Sequence, residues 1–275
     1  MTTTPTRTGP PRADCIADSA GGITFDIVGE DSPRAVLVLR RRGGTSAADE
    51  MRLPLTPAGE GRLRAVLPST LELREGRWDA FTDHGGEAGE ERIEPGVRDL
   101  RSLVDRHPDP GRAQVAVRIP YPTADGKLAV RAWLRAPHAE AGDITFGQSA
   151  MTVEGRLYGA VLGAGAAVEA RLRGAKDEVH RVPVTGGEEG TFGFTLAYAP
   201  LAEGRGDEQR LWDLWLCAAE DSAGIRIGRI LDDVWEKKGV FRYPVLPVEG
   251  AARPTTAYPY YTVDNDLSVR LDSAQ

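Results

Sequence analysis

Arg52-Leu-Pro-Leu-Thr-Pro-Ala-Gly-Glu-Gly-Arg-Leu63 recurs as Arg181-Val-Pro-Val-Thr-Gly-Gly-Glu-Glu-Gly-Thr-Phe192. Three further echoes follow in the same order. Arg77-Trp78-Asp79-Ala80-Phe81 returns as Leu211-Trp212-Asp213-Leu214-Trp215, and Arg92-Ile93 returns as Arg226-Ile227. Pro120-Tyr121-Pro-Thr-Ala-Asp125-Gly-Lys-Leu128-Ala-Val130-Arg131 returns as Pro259-Tyr260-Tyr-Thr-Val-Asp264-Asn-Asp-Leu267-Ser-Val269-Arg270. Matches in constant order at slowly growing offsets describe a tandem duplication of a unit of roughly 130 residues, a domain-sized length.

The residues inside each copy alternate with period two. Ile23-Thr-Phe25-Asp-Ile27, Leu63-Arg-Ala65-Val-Leu67 and Val115-Ala-Val117-Arg-Ile119 do so in the first half. Val168-Glu-Ala170-Arg-Leu172 and Phe192-Gly-Phe194-Thr-Leu196 do so in the second. Such runs bury one face and wet the other, as in antiparallel sheet. Gly43-Gly44, Pro57-Ala58-Gly59, Gly85-Gly86, Asp125-Gly126 and Gly186-Gly187 supply turns between them. Short strands at this spacing predict an all-β chain of two antiparallel β-sandwiches. Two stretches, Val97–Val104 and Arg229–Trp235, have apolar residues at helical spacing and are expected as short helices at equivalent places.

The duplication also sets the expected boundaries. Residues 1–12 are a Thr/Pro tail, 13–136 the first sandwich and 142–275 the second, with Arg135–Gly142 as the linker. His107–Gly111 looks more like a linker by composition but falls inside the first copy. The second copy carries longer loops over 202–209 and 236–256, and surface loops on a rigid sandwich are where function is usually added.

Composition bounds the function classes. The 275 residues are 41% hydrophobic and 27% charged, the balance of a folded protein, with a net charge of -7. That charge, without a basic cluster to offset it, argues against nucleic acid or anionic membrane as the main partner. Only four of the 34 basic residues are lysines, and the Arg, Ala and Gly richness fits a high-GC bacterial genome. Cys15 and Cys217 occupy non-equivalent places in the two copies and are read as free thiols rather than a disulfide framework. The N-terminal residues lack an apolar signal region and no run is long enough to span a bilayer, so a cytoplasmic location is expected.

No catalytic constellation stands out. Asp264-Asn265-Asp266 resembles an Asp-x-Asp metal and nucleotide-diphosphate motif, but its counterpart is Asp125-Gly126-Lys127, and a tight turn explains both. Trp78-Asp79 and Trp212-Asp213, present in both copies, read as architecture. Asp83–Glu91 reads as a solvated hairpin tip. His84, His107, His138 and His180 are isolated, Ser149 lacks a nucleophile elbow, and Gly163-Ala-Gly165 lacks the rest of a dinucleotide fingerprint. No cofactor and no metal are expected. The second copy is crowded with aromatics, and Trp215, Trp235, Phe241, Tyr243, Tyr258 and Tyr261 are the candidate binding residues, against the competing reading that they pack cores.

The Arg-Trp-Asp strand and the closing Tyr260-Tyr-Thr-Val-Asp-Asn-Asp-Leu-Ser-Val269 strand resemble the tandem immunoglobulin-like accessory modules of actinobacterial teichoic-acid-type glycosyltransferases and polyol-phosphate transferases. The resemblance implies modules that support oligomerisation or polymer binding, with the family's catalytic domain missing here. The expected function is therefore non-catalytic, binding a protein partner or an envelope-glycan precursor. Two alternatives stand beside it: a glycosyl- or glycerophosphate-type transferase using Asp264 and Asp266, and a purely structural oligomerisation module.

Overall fold

The computed structural model describes residues 9–29, 34–85, 89–104, 106–108, 113–175, 177–204, 206 and 208–274. Strands take 53% of the chain and no helix reaches seven residues, which places it in the all-β class. It divides into two compact units, one of residues 1–107, 116–134 and 231–235, the other of residues 108–115, 135–230 and 236–275.

In unit 1 the strands are β1 (Arg12–Ala17), β2 (Ile23–Val28), β3 (Val36–Arg41), β4 (Glu50–Pro54), β5 (Thr56–Pro57), β6 (Arg62–Leu67), β7 (Gly76–Asp83), β8 (Glu90–Arg92), β9 (Glu94–Asp99), β10 (Val115–Pro122) and β11 (Leu128–Arg135). One sheet has the order β5-β6-β2-β1-β9 and the other β10-β11-β7-β3-β4, with β8 also on β7. The alternation read from sequence is the reason these layers form. Ile23, Phe25 and Ile27 pair across with Leu67, Ala65 and Leu63, and all six are buried. Leu37 and Leu39 on β3 and Trp78 and Ala80 on β7 are likewise buried from the second sheet.

Unit 2 holds β12 (His138–Gly147), β13 (Ala150–Tyr158), β14 (Ala167–Leu172), β15 (Val179–Pro183), β16 (Thr185–Gly186), β17 (Thr191–Ala197), β18 (Arg210–Cys217), β19 (Gly224–Gly228), β20 (Leu246–Pro247), β21 (Thr255–Tyr261) and β22 (Leu267–Ser273). The path β16-β17-β13-β12-β19 repeats β5-β6-β2-β1-β9 place for place, and β21-β22-β18-β14-β15 repeats β10-β11-β7-β3-β4. In both units the first strand pairs antiparallel with the second and parallel with a late one: β1 with β9, β12 with β19. That late strand is cut by Ile93 in unit 1 but continuous in unit 2, where β19 pairs with both β18 and β12 and joins all eleven strands. Phe192, Phe194, Leu196, Trp212, Leu214, Val269 and Tyr261 lie in one buried cluster between the layers.

The two expected helices are not there. Glu94–Asp99 is strand β9, followed by a 3-10 turn at Arg101–Leu103, and residues 229–235 run through bends. Segments of two turns are too short to hold helical hydrogen bonds unaided, and pairing with β1 satisfies the backbone of β9 instead. The expected linker shrinks as well: β11 runs to Arg135 and β12 starts at His138. Part of the 83–91 tip and of the 107–111 loop, and residues 1–8 of the tail, lie outside the described residues. Cys15 and Cys217 are free and buried, and burial pushes the Cys15 thiol up to about 12.

Most of the outer strands share one trait. β4, β5, β9, β10, β15 and β20 each contain a proline, respectively Pro54, Pro57, Pro95, Pro120 with Pro122, Pro183 and Pro247, while the two-residue β16 has none.

Candidate functional site

Because strand side chains alternate, the same registers that bury Trp212 and Leu214 turn Leu211, Asp213 and Trp215 outward. Three cross-strand rows result on the outer face of unit 2. Arg171 of β14 pairs with Asp213, which pairs with Ser268 of β22, which pairs with Tyr260 of β21. Glu169, Trp215 and Arg226 form the second row, and Leu211, Arg270 and Tyr258 the third.

Asp213 is the hub. Its carboxylate accepts hydrogen bonds from Arg173 at 2.6 Å and Ser268 at 2.8 Å, with Arg226 at 3.3 Å. Burial pushes the Asp213 carboxyl up, but the Arg173 hydrogen bond, the Arg226 charge and the Ser268 hydroxyl outweigh it, and the net shift is downward. Trp215 lies between two guanidiniums, Arg171 at 4.8 Å and Arg226 at 5.2 Å from the ring centre. Unit 1 builds the same arrangement. Asp79 accepts from Arg42 at 2.7 Å and Arg92 at 3.2 Å, and Phe81 lies between Arg40 at 5.2 Å and Arg92 at 5.3 Å. A constellation present in both units serves the sheet: Arg92 and Arg226 are each held by a carboxylate and an aromatic face at once.

What unit 2 adds is an open cleft of about 670 Å³ beside this hub. Its lining includes Arg173, Asp213, Arg226 and Arg270 around the hub, Tyr258 and Tyr260 of β21, and Lys238, Asp264 and Asp266. Asp264-Asn265-Asp266 is a tight turn between β21 and β22, with Asn265 at φ 61°. Asp266 accepts from Arg135 at 2.8 Å and stands 3.7 Å from Arg226, so its carboxylate is committed to cations.

The six aromatics singled out in the sequence do not share one site. Trp215 and Tyr258 are half-buried on the outer face, and Tyr258 lines the cleft. Trp235 belongs to unit 1. Tyr261 is 0% exposed, and Phe241 and Tyr243 pack on it at 5.7 and 6.2 Å, which puts these three in the core cluster and its margin. Burial pushes the Tyr261 hydroxyl strongly upward. Arg173, Arg226 and Arg270 were not singled out from sequence as site residues, whereas Tyr260 is one of the aromatics that crowd the second copy. The available signal was the repeat itself: Arg92 and Arg226 stand at the same offset after Asp79 and Asp213, and Arg131 and Arg270 close the same repeated Pro-Tyr motif.

No protein-family model matches the chain. No curated protein matches it. It is similar to the crystal structure of S. aureus TarS, at 17% identity and TM-score 0.32, over 67% of this chain and 35% of that one. It is also similar to the structure of TarS residues 217–571, at 17% identity and TM-score 0.31, over 68% of this chain and 55% of that one. The chain thus spans between a third and just over half of the structures it matches. Similarity of that degree carries nothing about activity or ligand.

Proposed function

We propose that this chain is a non-catalytic recognition protein, built as a tandem duplication of an immunoglobulin-like sandwich and accessory to cell-envelope polymer synthesis, and that its ligand sits in the unit 2 cleft. The observation that carries the site is the cleft itself: Tyr258 and Tyr260 beside Arg173, Arg226 and Arg270 on the outer face of unit 2. Its carboxylates support the non-catalytic reading. Asp213 and Asp266 already accept from arginines, which suits them to hold a surface in shape rather than to exchange protons. The immunoglobulin-like reading is supported by the strand order: with β4 and β5 counted as one strand that passes between the layers, the fourth, fifth, second and first strands run side by side in one layer as β5-β6-β2-β1, and the sixth and third pair in the other as β7-β3. The envelope role rests on the resemblance of the Arg-Trp-Asp and closing strands to accessory modules of polymer-making transferases.

The test is a ligand panel titrated into wild type and Tyr260→Ala by calorimetry: polyol-phosphate oligomers, neutral glucans and acidic aromatic peptides. At least one class should bind saturably, and Tyr260→Ala should weaken it by about tenfold or more. A panel with no saturable ligand, or binding indifferent to Tyr260, overturns the assignment of the cleft.

A further inference from the structure

The cleft has a counterpart in unit 1, and there it is filled. Tyr121 matches Tyr260 in the repeated Pro-Tyr motif and stands on β10 beside β11, as Tyr260 stands on β21 beside β22. The charges around Tyr121 are Arg42, Arg77, Asp79 and Arg131, of which Arg42, Asp79 and Arg131 correspond to Arg173, Asp213 and Arg270 in the cleft. Trp235 lies flat on Tyr121, with ring centres 4.4 Å apart and planes 23° from parallel, and Tyr121 is left only 3% exposed. The tryptophan arrives on Leu231-Asp-Asp-Val-Trp235, a segment from late in the sequence that belongs to unit 1 and is anchored at its other end by buried Leu231. Among the described residues no aromatic ring stacks on Tyr260, which remains half-buried in the cleft wall.

Resting on the reading of the cleft as a ligand site, we propose that it takes an acidic, tryptophan-bearing segment of a partner protein, seated on Tyr260 as Leu231–Trp235 is seated on Tyr121. Two features of the filled site define the occupant. A planar ring covers the tyrosine face, an arrangement that aromatic pairs favour. Two carboxylates, Asp232 and Asp233, precede that ring in the segment's sequence. The open cleft is lined by four cations, Arg173, Arg226, Arg270 and Lys238, against three carboxylates, Asp213, Asp264 and Asp266. A second copy of this chain is a poor source, because its own Leu231–Trp235 is already committed to its unit 1.

The experiment is fluorescence anisotropy of a labelled peptide with the sequence of residues 230–236, titrated with the full chain. The tethered segment in unit 1 competes at an effective concentration on the order of millimolar, so a micromolar peptide does not displace it and reports the cleft. Wild type should bind saturably. Tyr260→Ala in the protein, or Trp235→Ala in the peptide, should each weaken binding by about tenfold or more. Tyr260→Phe should retain it, and its thermal melt controls for folding. Lys238→Glu should weaken binding and flatten its salt dependence. Absent binding, or binding unchanged by Tyr260→Ala, overturns the peptide proposal. If a polyol-phosphate oligomer then binds in a Tyr260-dependent way, the cleft reading survives without it; if neither ligand binds, both fall.

Discussion

Asp213 shows how one side chain can be needed twice over without being reactive. Two arginines lean on it, and one of them, Arg226, is itself the upper or lower slice of a stack on Trp215. Removing the charge takes from Arg173 the carboxylate it pairs with at 2.6 Å and leaves Arg226 with Asp266 at 3.7 Å. Asp213→Asn should therefore cost about 1–3 kcal/mol in urea unfolding, the usual range when a charged hydrogen-bond partner is lost from a partly buried site. The sign of its pH dependence follows from the lowered folded-state value. The stabilisation is fully present above the ordinary carboxylate value of 3.8 and is lost as pH falls from there through the folded-state value. The gap between wild type and Asp213→Asn should accordingly be constant at neutral pH and close in acid. A gap that stays open well below that range would assign the cost to packing instead of charge. The sequence exposed this residue as repeated but not as a hub, since Arg226 and Ser268 reach it from two different strands and Arg173 from the turn after β14.

Strands were legible wherever one face is dry, because alternation is then imposed by burial: Ile23–Ile27, Leu63–Leu67 and Phe192–Leu196 all follow it. They were illegible where pairing alone decides. β9 has no buried hydrophobic residue to mark it and was read as helix from Val97, Leu100 and Leu103, yet it is fixed by its ladder to β1. Arg229–Trp235 shares that fault, since its apolar spacing serves anchoring at Leu231 and Trp235 and not a helix face. One strand position, Gly155 on β13, is demanded by space. Phe192 stands directly across from it on β17, and a Cβ there would lie 2.4 Å from the Phe192 ring and 2.5 Å from the Glu140 carbonyl oxygen. Gly155→Ala should destabilise unit 2 by roughly 1–3 kcal/mol, the range for overpacking a filled site. Gly155→Ala paired with Phe192→Leu should recover part of the loss if the ring is the obstacle; no recovery would point to the Glu140 backbone.

At the scale of the whole molecule, each unit is centred on its own tryptophan. Trp78 is 1% exposed and donates its indole N–H to the Arg74 carbonyl oxygen at 3.0 Å, while Trp212 is 4% exposed within the unit 2 cluster. Trp78→Ala and Trp212→Ala should each cost about 3–5 kcal/mol. Hydrogen exchange should show the loosening confined mainly to unit 1 for Trp78→Ala and to unit 2 for Trp212→Ala; a loss below about 1 kcal/mol at either position would contradict its burial. The candidate site was the least legible feature at this scale. Composition pointed to crowded aromatics, but whether a ring ends in a core, on Tyr121 or in an open wall depends on registers that bring Tyr260 beside Ser268 and Arg173 beside Asp213. The prolines along the outer strands carry a last consequence. A proline offers no N–H, so a rim marked by Pro54, Pro57, Pro95, Pro120, Pro122, Pro183 and Pro247 is a poor template for an incoming strand. Partners that dock by adding a strand, and fibrils that grow the same way, find no continuous ladder at those six strands. The edge left to them is at β16, which has no proline and pairs with only two residues of β17.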